Sequence, residues 1–401
     1  MKKSAPQSAP GKNQLLPQLG NISAQHFLDE YWQKKPLLIR AAFPKKFAPL
    51  TKAEILRLAG YDEAECRLIT HVGGQWQLDH GPFKRGVFSA LAKDAQSKWT
   101  VLIQDTQHFS HEAHTLLAHF DFLPQSRVDD LMVSYANKGG GVGPHVDSYD
   151  VFLLQGTGQR RWQISSKQDL ALKLGMPLKI LQRFRAEQEW LLDEGDMLYL
   201  PPSFAHHGVA ATDDCVTWSI GFRAPSHQEL LDAFLDDMRD RLNIDGRFAD
   251  PARLATDAGN TAAIDLPLQA AFGGILTDCV VDATQDSALR DFIGRYLSQP
   301  KSHVTFVPPD AHLSLSAFTR RAANYGVTLD LRTRLLYDEY DQNKFFMNGE
   351  SLSIAKADRR IFAQLANTRK LDASNAKSAS ATARAVLHDL WQRGHVQINP
   401  A

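Results

Sequence analysis

Apolar and polar positions alternate differently in the middle of the chain than at its two ends. Between about residues 100 and 225, short apolar runs are separated by Gly, Pro and polar residues. The runs lie at 99–105, 130–136, 150–156, 160–164, 196–202 and 215–222. Because no long helical period interrupts the later runs, the pattern predicts mostly antiparallel β-structure, as a sandwich or barrel.

The segment before this region predicts a helix followed by a strand. Ser23 is a suitable N-cap, and a strand is predicted at 37–41. The apolar residues of this helix share one face: Phe27, Leu28, Tyr31 and Trp32. Residues 1–20 are rich in Ser, Ala, Pro, Gln and Lys and are predicted to form a disordered tail.

The chain becomes helical after Pro225. Residues 227–242 carry an apolar stripe opposite acids and arginines, which could pack on the barrel or on a second copy of the chain. The stripe consists of Leu230, Leu231, Phe234, Leu235, Met238 and Leu242. Residues 243–260 look like a connector.

The last hundred residues combine helices with a small amount of β-structure. We predict a strand at 303–309, a hairpin around Asn348-Gly349, and a helix that stops at Gly394 before a final short strand. Helices with a small hairpin suggest a winged-helix-like module. The predicted domains are therefore a tail (1–20), a β-domain (21–225), a helical region (226–300) and this module (301–401).

Composition narrows the classes of function. The 401 residues contain 45 Lys plus Arg and 45 Asp plus Glu, and residues 301–401 carry 14 against 9, which argues against broad electrostatic capture of nucleic acid. The three cysteines form no CxxC motif, so neither a disulfide framework nor a thiolate zinc site is indicated. No apolar stretch approaches the roughly 20 residues needed to cross a membrane. We therefore expect a cytoplasmic protein with no direct nucleic-acid or membrane binding.

The sequence GPHVDSYDVF suggests a metal site. His145 and Asp147 are two apart on an extended segment, so their side chains point to the same side. A further histidine follows the run that ends at Pro201-Pro202, and His206 lies 59 residues after Asp147. Two histidines and one carboxylate are typical of non-heme Fe(II) oxygenases, which leave positions open for a 2-oxo acid and dioxygen.

Two choices stay open from the residues alone. His206 and His207 are adjacent on an extended chain, so only one should reach the ion. Arg160 and Arg161 are adjacent after the Gly156-Thr157-Gly158 turn, and only one should face the cavity, where its guanidinium could bind a carboxylate.

Four further histidines resemble a metal cluster but lack its usual partners. They are His108, His111, His114 and His119. No HExxH motif accompanies them, so we interpret them as the polar face of a helix.

The quoted residues resemble the bacterial ribosomal oxygenases of the Jumonji-C class, which hydroxylate an arginine in a large-subunit ribosomal protein. The similar stretches are YWQKKPLLIRAAF, DLMVSYANKGGGVGPHVDSYDVFLLQGTGQRRWQI, DMLYLPPSFAHHG and SIGFRAP, and they span roughly the first 225 residues. The C-terminal region matches more loosely, in the order of its elements.

The resemblance implies a double-stranded β-helix of the cupin type. It implies Fe(II) bound by His145, Asp147 and His206, and 2-oxoglutarate bound by Arg160 with help from Ser134. It further implies homodimerisation through the helical region, a C-terminal winged-helix module, and a substrate that is the sixteenth protein of the large-subunit series, hydroxylated at an arginine β-carbon.

Four alternatives remain at this point. A cupin enzyme using Zn or Mn without oxygen is one, although such sites commonly use three or more histidines. A histidyl hydroxylase or a lysine demethylase of the same class is equally compatible with the residues. A non-enzymatic regulator that senses a metabolite and binds nucleic acid is the last.

Overall fold

The predicted strands form two antiparallel sheets in the first of two units, residues 1–224. The computed structural model describes residues 14–94, 96–166, 169–241, 245, 247–249, 264 and 266–400. The strands of the first unit are β1 (Leu15–Leu16), β2 (Ile22–Ser23), β3 (Leu37–Ile39), β4 (Cys66–Val72), β5 (Gln75–His80), β6 (Lys98–Ile103), β7 (Val128–Ala136), β8 (His145–Val146), β9 (Asp150–Thr157), β10 (Arg160–Ser165), β11 (Gln188–Leu192), β12 (Met197–Leu200), β13 (Ala205–Ala210) and β14 (Cys215–Phe222). Its α-helices are α1 (Ala24–Glu30), α2 (Lys52–Leu58), α3 (Arg85–Leu91) and α4 (His111–Leu117).

Strands β7 to β14 form a double-stranded β-helix. One sheet has the order β12-β9-β14-β7 and the other the order β11-β10-β13-β8, so the chain crosses repeatedly from one sheet to the other. The first sheet is extended by β3 at one edge and by β6, β4 and β5 at the other. The predicted cupin-type fold is confirmed, and every apolar run named above in the barrel region lies largely within a strand.

The central strand β9 is apolar on both faces because both faces are covered. Val151 and Leu153 pack with Trp162 between the two sheets. Phe152 belongs to the core on the opposite side, where its ring centroid lies 5.5 Å from that of Phe27 in α1. Each such side chain contributes about 1.5–3 kcal/mol when fully buried.

The N-terminal segment is ordered earlier than the sequence predicted. Leu15–Leu16 pairs with Ile22–Ser23, and Leu16 and Leu19 are buried in the core. The predicted tail 1–20 therefore does not reach residue 20, because burial of these two leucines in the core favours an ordered segment. Residues 1–13 lie outside the described residues. Ser23 caps α1 as predicted, since its Oγ accepts a hydrogen bond from the backbone N–H of His26.

The second unit comprises residues 225–401. Its helices are α5 (His227–Arg241), α6 (Leu266–Ala283), α7 (Asp286–Ser298), α8 (Leu315–Tyr325), α9 (Arg359–Thr368), α10 (Ala373–Ser378) and α11 (Ala381–Gln392). Its strands are β15 (Val327–Leu329), β16 (Leu335–Tyr337), β17 (Lys344–Met347), β18 (Glu350–Ser353), β19 (Lys370–Leu371) and β20 (Val396–Ile398). Most of the predicted connector, 243–260, lies outside the described residues. None of the helices that the structure describes has the length and apolar character to cross a membrane.

Two local predictions in this unit have opposite outcomes. Asn348 and Gly349 both have positive φ, 52° and 88°, and close the β17–β18 hairpin as predicted. The prediction of a strand at 303–309 was wrong, because this run pairs with no neighbouring strand. Its Phe306 packs edge-on against His395 instead, at 4.4 Å between ring centroids.

A partly buried carboxylate connects α7 to the hairpin. Asp291 is bonded by Lys344 Nζ at 2.6 Å, by Arg295 Nε at 2.8 Å and by the Ser351 hydroxyl at 2.8 Å. Burial alone would raise the pKa of Asp291, but these hydrogen bonds outweigh burial and hold its pKa at about 2.

Candidate metal centre

Two strands of the second sheet bring His145 and His206 face to face. Strands β8 and β13 are antiparallel, with His206 directly opposite His145 in the register. Asp147 follows β8 and reaches the same point, with its Oδ2 atom 3.5 Å from His206 Nε2 and 3.9 Å from His145 Nε2. In the described part of the chain, these residues form the one group of at least three His, Cys, Asp or Glu side chains whose ligand atoms lie within 4.8 Å of one another.

Backbone carbonyls fix the orientation of both imidazole rings. His145 Nδ1 lies 2.9 Å from the carbonyl oxygen of Gly143, and His206 Nδ1 lies 3.0 Å from that of Phe204. Because a carbonyl oxygen can only accept, each Nδ1 carries the proton and each Nε2 keeps its lone pair. This is the tautomer that a metal-binding histidine needs.

The structure distinguishes His206 from His207. His206 is 3% exposed and points toward Asp147, whereas His207 points the other way, with its ring edge-on to Phe184 at 6.2 Å. Burial, and then the proximity of His145, lower the pKa of His206 well below the ordinary histidine value. A neutral imidazole is thereby favoured at this position, as metal binding requires.

The glycine-rich loop before His145 is held against protein backbone. A Cβ atom on Gly141 would lie 2.4 Å from the carbonyl oxygen of Gly208 in β13. Gly143 has φ +80°, and its carbonyl is the one that accepts from His145. These glycines therefore allow the loop to approach the neighbouring strand closely, which places β8 beside β13.

Arg160 enters the interior of the barrel and Arg161 leaves it. Arg160 is 4% exposed, and its Nη2 lies 3.4 Å from the Ser134 hydroxyl on β7 of the facing sheet. Arg161 lies on the outer face and forms an ion pair with Glu189. As predicted, alternation along β10 separates the two cations, and Arg160 is the one that shares the interior with the metal centre.

Arg160 has fewer partners than a buried guanidinium requires. Its Nε is buried without a hydrogen-bond acceptor, and no carboxylate of the described residues lies within ion-pair distance of it. A buried cation of this kind fits the distal carboxylate of a 2-oxo dicarboxylate. Two histidines and one aspartate equally fit Fe(II), since imidazole nitrogen and carboxylate oxygen are its usual ligands in such enzymes.

An acidic residue that the sequence reasoning missed lies close to the motif. A Cβ atom on Gly221 would lie 2.9 Å from Asp130 Oδ1 and 3.6 Å from Tyr149 Cε2, so carboxylate and ring flank the same point on β14. Burial, followed by the carboxylates of Asp147, Asp130 and Asp129, raises the pKa of Tyr149. No sequence signal marked Asp130, because it lies on a different strand from the HxD motif.

Two other residues near the motif have structural roles. Asp150 is buried and accepts hydrogen bonds from Tyr199 Oη at 2.6 Å and Gln33 Nε2 at 3.1 Å. Tyr135 donates to Asp214 on the side of β7 away from Ser134. Both residues therefore hold the scaffold together.

The histidines of the 108–119 segment form no metal group among the described residues. Helix α4 begins only at His111, so His108 precedes the helix. The ring of His119 packs edge-on against Phe43 at 5.0 Å, and burial lowers its pKa. The interpretation as one polar helix face was thus too simple for this residue.

Comparison with known domains agrees with the geometry. Residues 115–230 match the model of the JmjC domain, and residues 281–397 match the model of the ROXA-like winged helix. A histidine–aspartate–histidine group inside a double-stranded β-helix with this match defines a metal-dependent oxygenase of the JmjC class.

Similarity to individual proteins identifies the family within the JmjC class. The chain is 33% identical over 294 residues to the ribosomal protein uL16 3-hydroxylase of Escherichia coli, covering 71% of this chain and 74% of that protein. The crystal structure of Escherichia coli YcfD superposes with a TM-score of 0.82 at 28% identity, covering 94% of this chain and 98% of that one. The structure of YcfD in complex with cobalt and 2-oxoglutarate has a TM-score of 0.78 at 28% identity and the same coverage. The chain belongs to the ribosomal oxygenase family that includes the uL16 3-hydroxylase.

Proposed function

We propose that this protein is an Fe(II)- and 2-oxoglutarate-dependent oxygenase that hydroxylates an arginine β-carbon of ribosomal protein uL16. His145, Asp147 and His206 would hold the iron, and Arg160 and Ser134 would bind the cosubstrate. The proposal rests mainly on the convergence of two histidine Nε2 atoms and one carboxylate on one point inside the barrel. The oxygenase class follows from the family, and these residue roles are our assignments.

The chain's own contribution is placement and exclusion of water. When bound, iron, 2-oxoglutarate and O2 supply the oxidation of an unactivated C–H bond, with succinate and carbon dioxide as coproducts. Arg160 orients the cosubstrate from inside the barrel, while Ser134 adds a hydroxyl from the facing sheet. His206 is 3% exposed, so this side of the centre is shielded from bulk water.

The acidic residues beside the centre favour a cationic target side chain. We assign Asp130 to the guanidinium of the target arginine and Tyr149 to its aliphatic stem. Both flank Gly221, and the carboxylate of Asp147 is close enough to Tyr149 to raise the pKa of the phenol, after burial. A carboxylate can accept two guanidinium N–H groups at once. The neutral imidazole of a histidyl substrate gains less from this carboxylate than a guanidinium does.

The direct test is mass spectrometry of purified uL16 after incubation with the enzyme, iron, ascorbate and 2-oxoglutarate. We expect the gain of one oxygen atom on an arginine, no gain with His145→Ala, and a normal gain with His80→Ala, an exposed histidine on β5. Oxygen on a histidine, or loss of a methyl group from a lysine, would instead establish one of the alternative activities. No modification by a folded, metal-loaded enzyme would refute the substrate.

We further propose that the helical region mediates homodimerisation. Several apolar side chains of α5 and α6 are exposed in the single chain: Leu231 49%, Leu235 51%, Phe272 51%, Leu276 66% and Val281 55%. A second copy, presenting the same surface, would cover them. Sedimentation velocity should show a dimer, a monomer for Leu276→Glu, and an unchanged dimer for the control Leu315→Glu, which lies on α8. A monomeric wild-type protein would contradict this assignment.

Location and other partners follow as expectations from the same function. We propose that the protein works in the cytoplasm, where its ribosomal substrate is made, and that its three cysteines stay unpaired as in the structure. We propose no direct nucleic-acid binding, in keeping with the balanced charge of 45 against 45. Salt-dependent binding of the full chain to a duplex oligonucleotide would contradict the second proposal.

A further inference from the structure

Gln155 is a fully buried amide in the wall behind the proposed cosubstrate site. It lies on β9 and is 0% exposed. Its Nε2 donates to the carbonyl oxygens of Thr157 at 2.8 Å and Gly158 at 3.3 Å, and its Oε1 accepts from Thr217 Oγ1 at 3.1 Å. Because two carbonyls face one end of the amide, that end must be the NH2 group, and the orientation of the amide is fixed.

On one side, these bonds control the turn that leads into Arg160. Thr157 ends β9, and Gly158, with φ +66°, begins the connection to β10, which starts at Arg160 itself. The β9–β14 register shifts beside this turn, where Val216 pairs with Thr157 and Thr217 pairs with Gln155. Bulges of this kind re-aim side chains next to active sites.

On the other side, Gln155 contacts the wall that carries Ser134. Thr217 on β14 is paired with Gln155 on one flank and with Ser134 on the other. The Ser134 hydroxyl donates to the Thr217 carbonyl at 3.4 Å and lies at the same distance from Arg160 Nη2. A continuous set of hydrogen bonds thus connects the turn before Arg160 to the hydroxyl that faces Arg160.

We propose that Gln155 is a positioning residue for the 2-oxo dicarboxylate, fixing how deeply the Arg160 guanidinium lies opposite Ser134 and so which chain length the site accepts. The inference rests on the proposed function. It requires no contact between Gln155 and the cosubstrate, because the amide acts through the turn and through Thr217. Displacement of an orienting group by about 1 Å can cost on the order of 10²-fold.

Two variants test the amide: one removes its donor end alone, and the other removes both ends. Gln155→Glu keeps the size and the acceptor for Thr217 but removes the donors to Thr157 and Gly158. Gln155→Met keeps the length and removes both. The control is Thr100→Val, another 0% exposed polar residue of the same sheet. It lies on β6, which pairs with β7 at the edge away from β14, and its hydroxyl donates to the Tyr135 carbonyl.

The experiment is calorimetric titration of the Mn(II)-loaded full-length enzyme with 2-oxo dicarboxylates of four, five and six carbons. For both Gln155 variants we expect the Kd of 2-oxoglutarate to rise at least about tenfold and its preference over the six-carbon homologue to fall. The Kd for Mn(II), and the KM for the ribosomal protein measured in a turnover assay, should stay within about twofold, because neither depends on Arg160. Thr100→Val should match the wild type in each of these quantities.

Each result distinguishes this inference from the proposed function. A wild-type enzyme that binds no 2-oxo dicarboxylate refutes the function itself. A wild-type enzyme that binds 2-oxoglutarate, together with folded Gln155 variants that bind it equally well, overturns the role of Gln155 alone. Equal losses of Mn(II) and 2-oxoglutarate affinity would show a general structural role and also overturn it.

Discussion

Replacing Arg160 with methionine should stabilise the ligand-free protein while greatly weakening cosubstrate binding. In the structure this cation is buried with one long hydrogen bond, 3.4 Å to Ser134, and lies over the Trp162 ring at 5.9 Å. Its Nε atom has no acceptor. A charge that is taken out of water without an anionic partner costs free energy, so this position lowers the stability of the protein until a ligand binds.

The size of the effect follows from these contacts. Replacing buried charged groups with apolar residues of similar volume stabilises proteins by about 1–4 kcal/mol. Losing the cation–π contact and the long hydrogen bond offsets about 0.5–1 kcal/mol each. A net gain of about 1 kcal/mol corresponds to a Tm increase of about 2–4 °C for a unit of this size. In contrast, the distal carboxylate of 2-oxoglutarate would have no cationic partner in Arg160→Met. This loss should weaken 2-oxoglutarate binding on the order of 10²–10³-fold.

Thermal unfolding with and without 2-oxoglutarate and Mn(II) measures both effects together. Wild-type Tm should rise on addition of 2-oxoglutarate, whereas Arg160→Met should begin higher and show no further rise. Arg161→Met is the matched control, because that arginine is half exposed and pairs with Glu189. Its Tm should change little and its response to 2-oxoglutarate should persist. An Arg160→Met protein that unfolds at lower temperature and still responds to 2-oxoglutarate would refute the reasoning.

Three further changes test the centre and the scaffold. His206→Ala should weaken Mn(II) binding at least on the order of 10-fold, whereas His207→Ala should leave it unchanged. Electron paramagnetic resonance measures the bound Mn(II), and equal losses in the two variants would contradict the assignment of His206. Gly208→Ala should destabilise the first unit by about 1–3 kcal/mol in chemical denaturation, because the new Cβ would lie 2.6 Å from the Trp162 ring; an unchanged midpoint would count against the packing. Asp291→Asn should lower stability by about 2 kcal/mol at pH 7, since the native pKa of Asp291 is about 2. The stabilisation from this depressed pKa is present above the unfolded value near 3.9 and is lost as pH falls toward 2, so wild type and variant should converge there.

The sequence predicted the strands of the barrel well because their apolar runs are continuous. Phe152 and Leu153 of β9 face opposite cores, and each is buried. The run at 303–309 carries the same apolar signal but forms no strand, and although Phe306 packs against His395, Val307 is 66% exposed. The short leucine strand at 15–16 was missed because its neighbours are Pro, Gln and Gly, which are also typical of a tail.

The proposed metal ligands were predictable to the extent that they share local patterns. His145 and Asp147 follow from a two-residue alternation, and this holds in the structure. Between His206 and His207, alternation predicts that one faces inward but not which one. The choice depends on the register that sets His206 opposite His145, and register is a property of the folded sheet.

The cosubstrate wall could not be predicted from spacing, because its members come from separate strands. Ser134, Gln155 and Thr217 lie at one level of β7, β9 and β14, and only the pairing of these strands shows that they are neighbours. Each is an ordinary polar residue within an apolar run, which in sequence looks like an interruption. Burial changes that interpretation, because a polar group without access to water must be bonded within the protein or by a ligand. Gln155 and Thr217 are bonded within the protein, and Arg160 largely is not. Because of this contrast, we propose that Arg160 binds a ligand and that Gln155 positions Arg160.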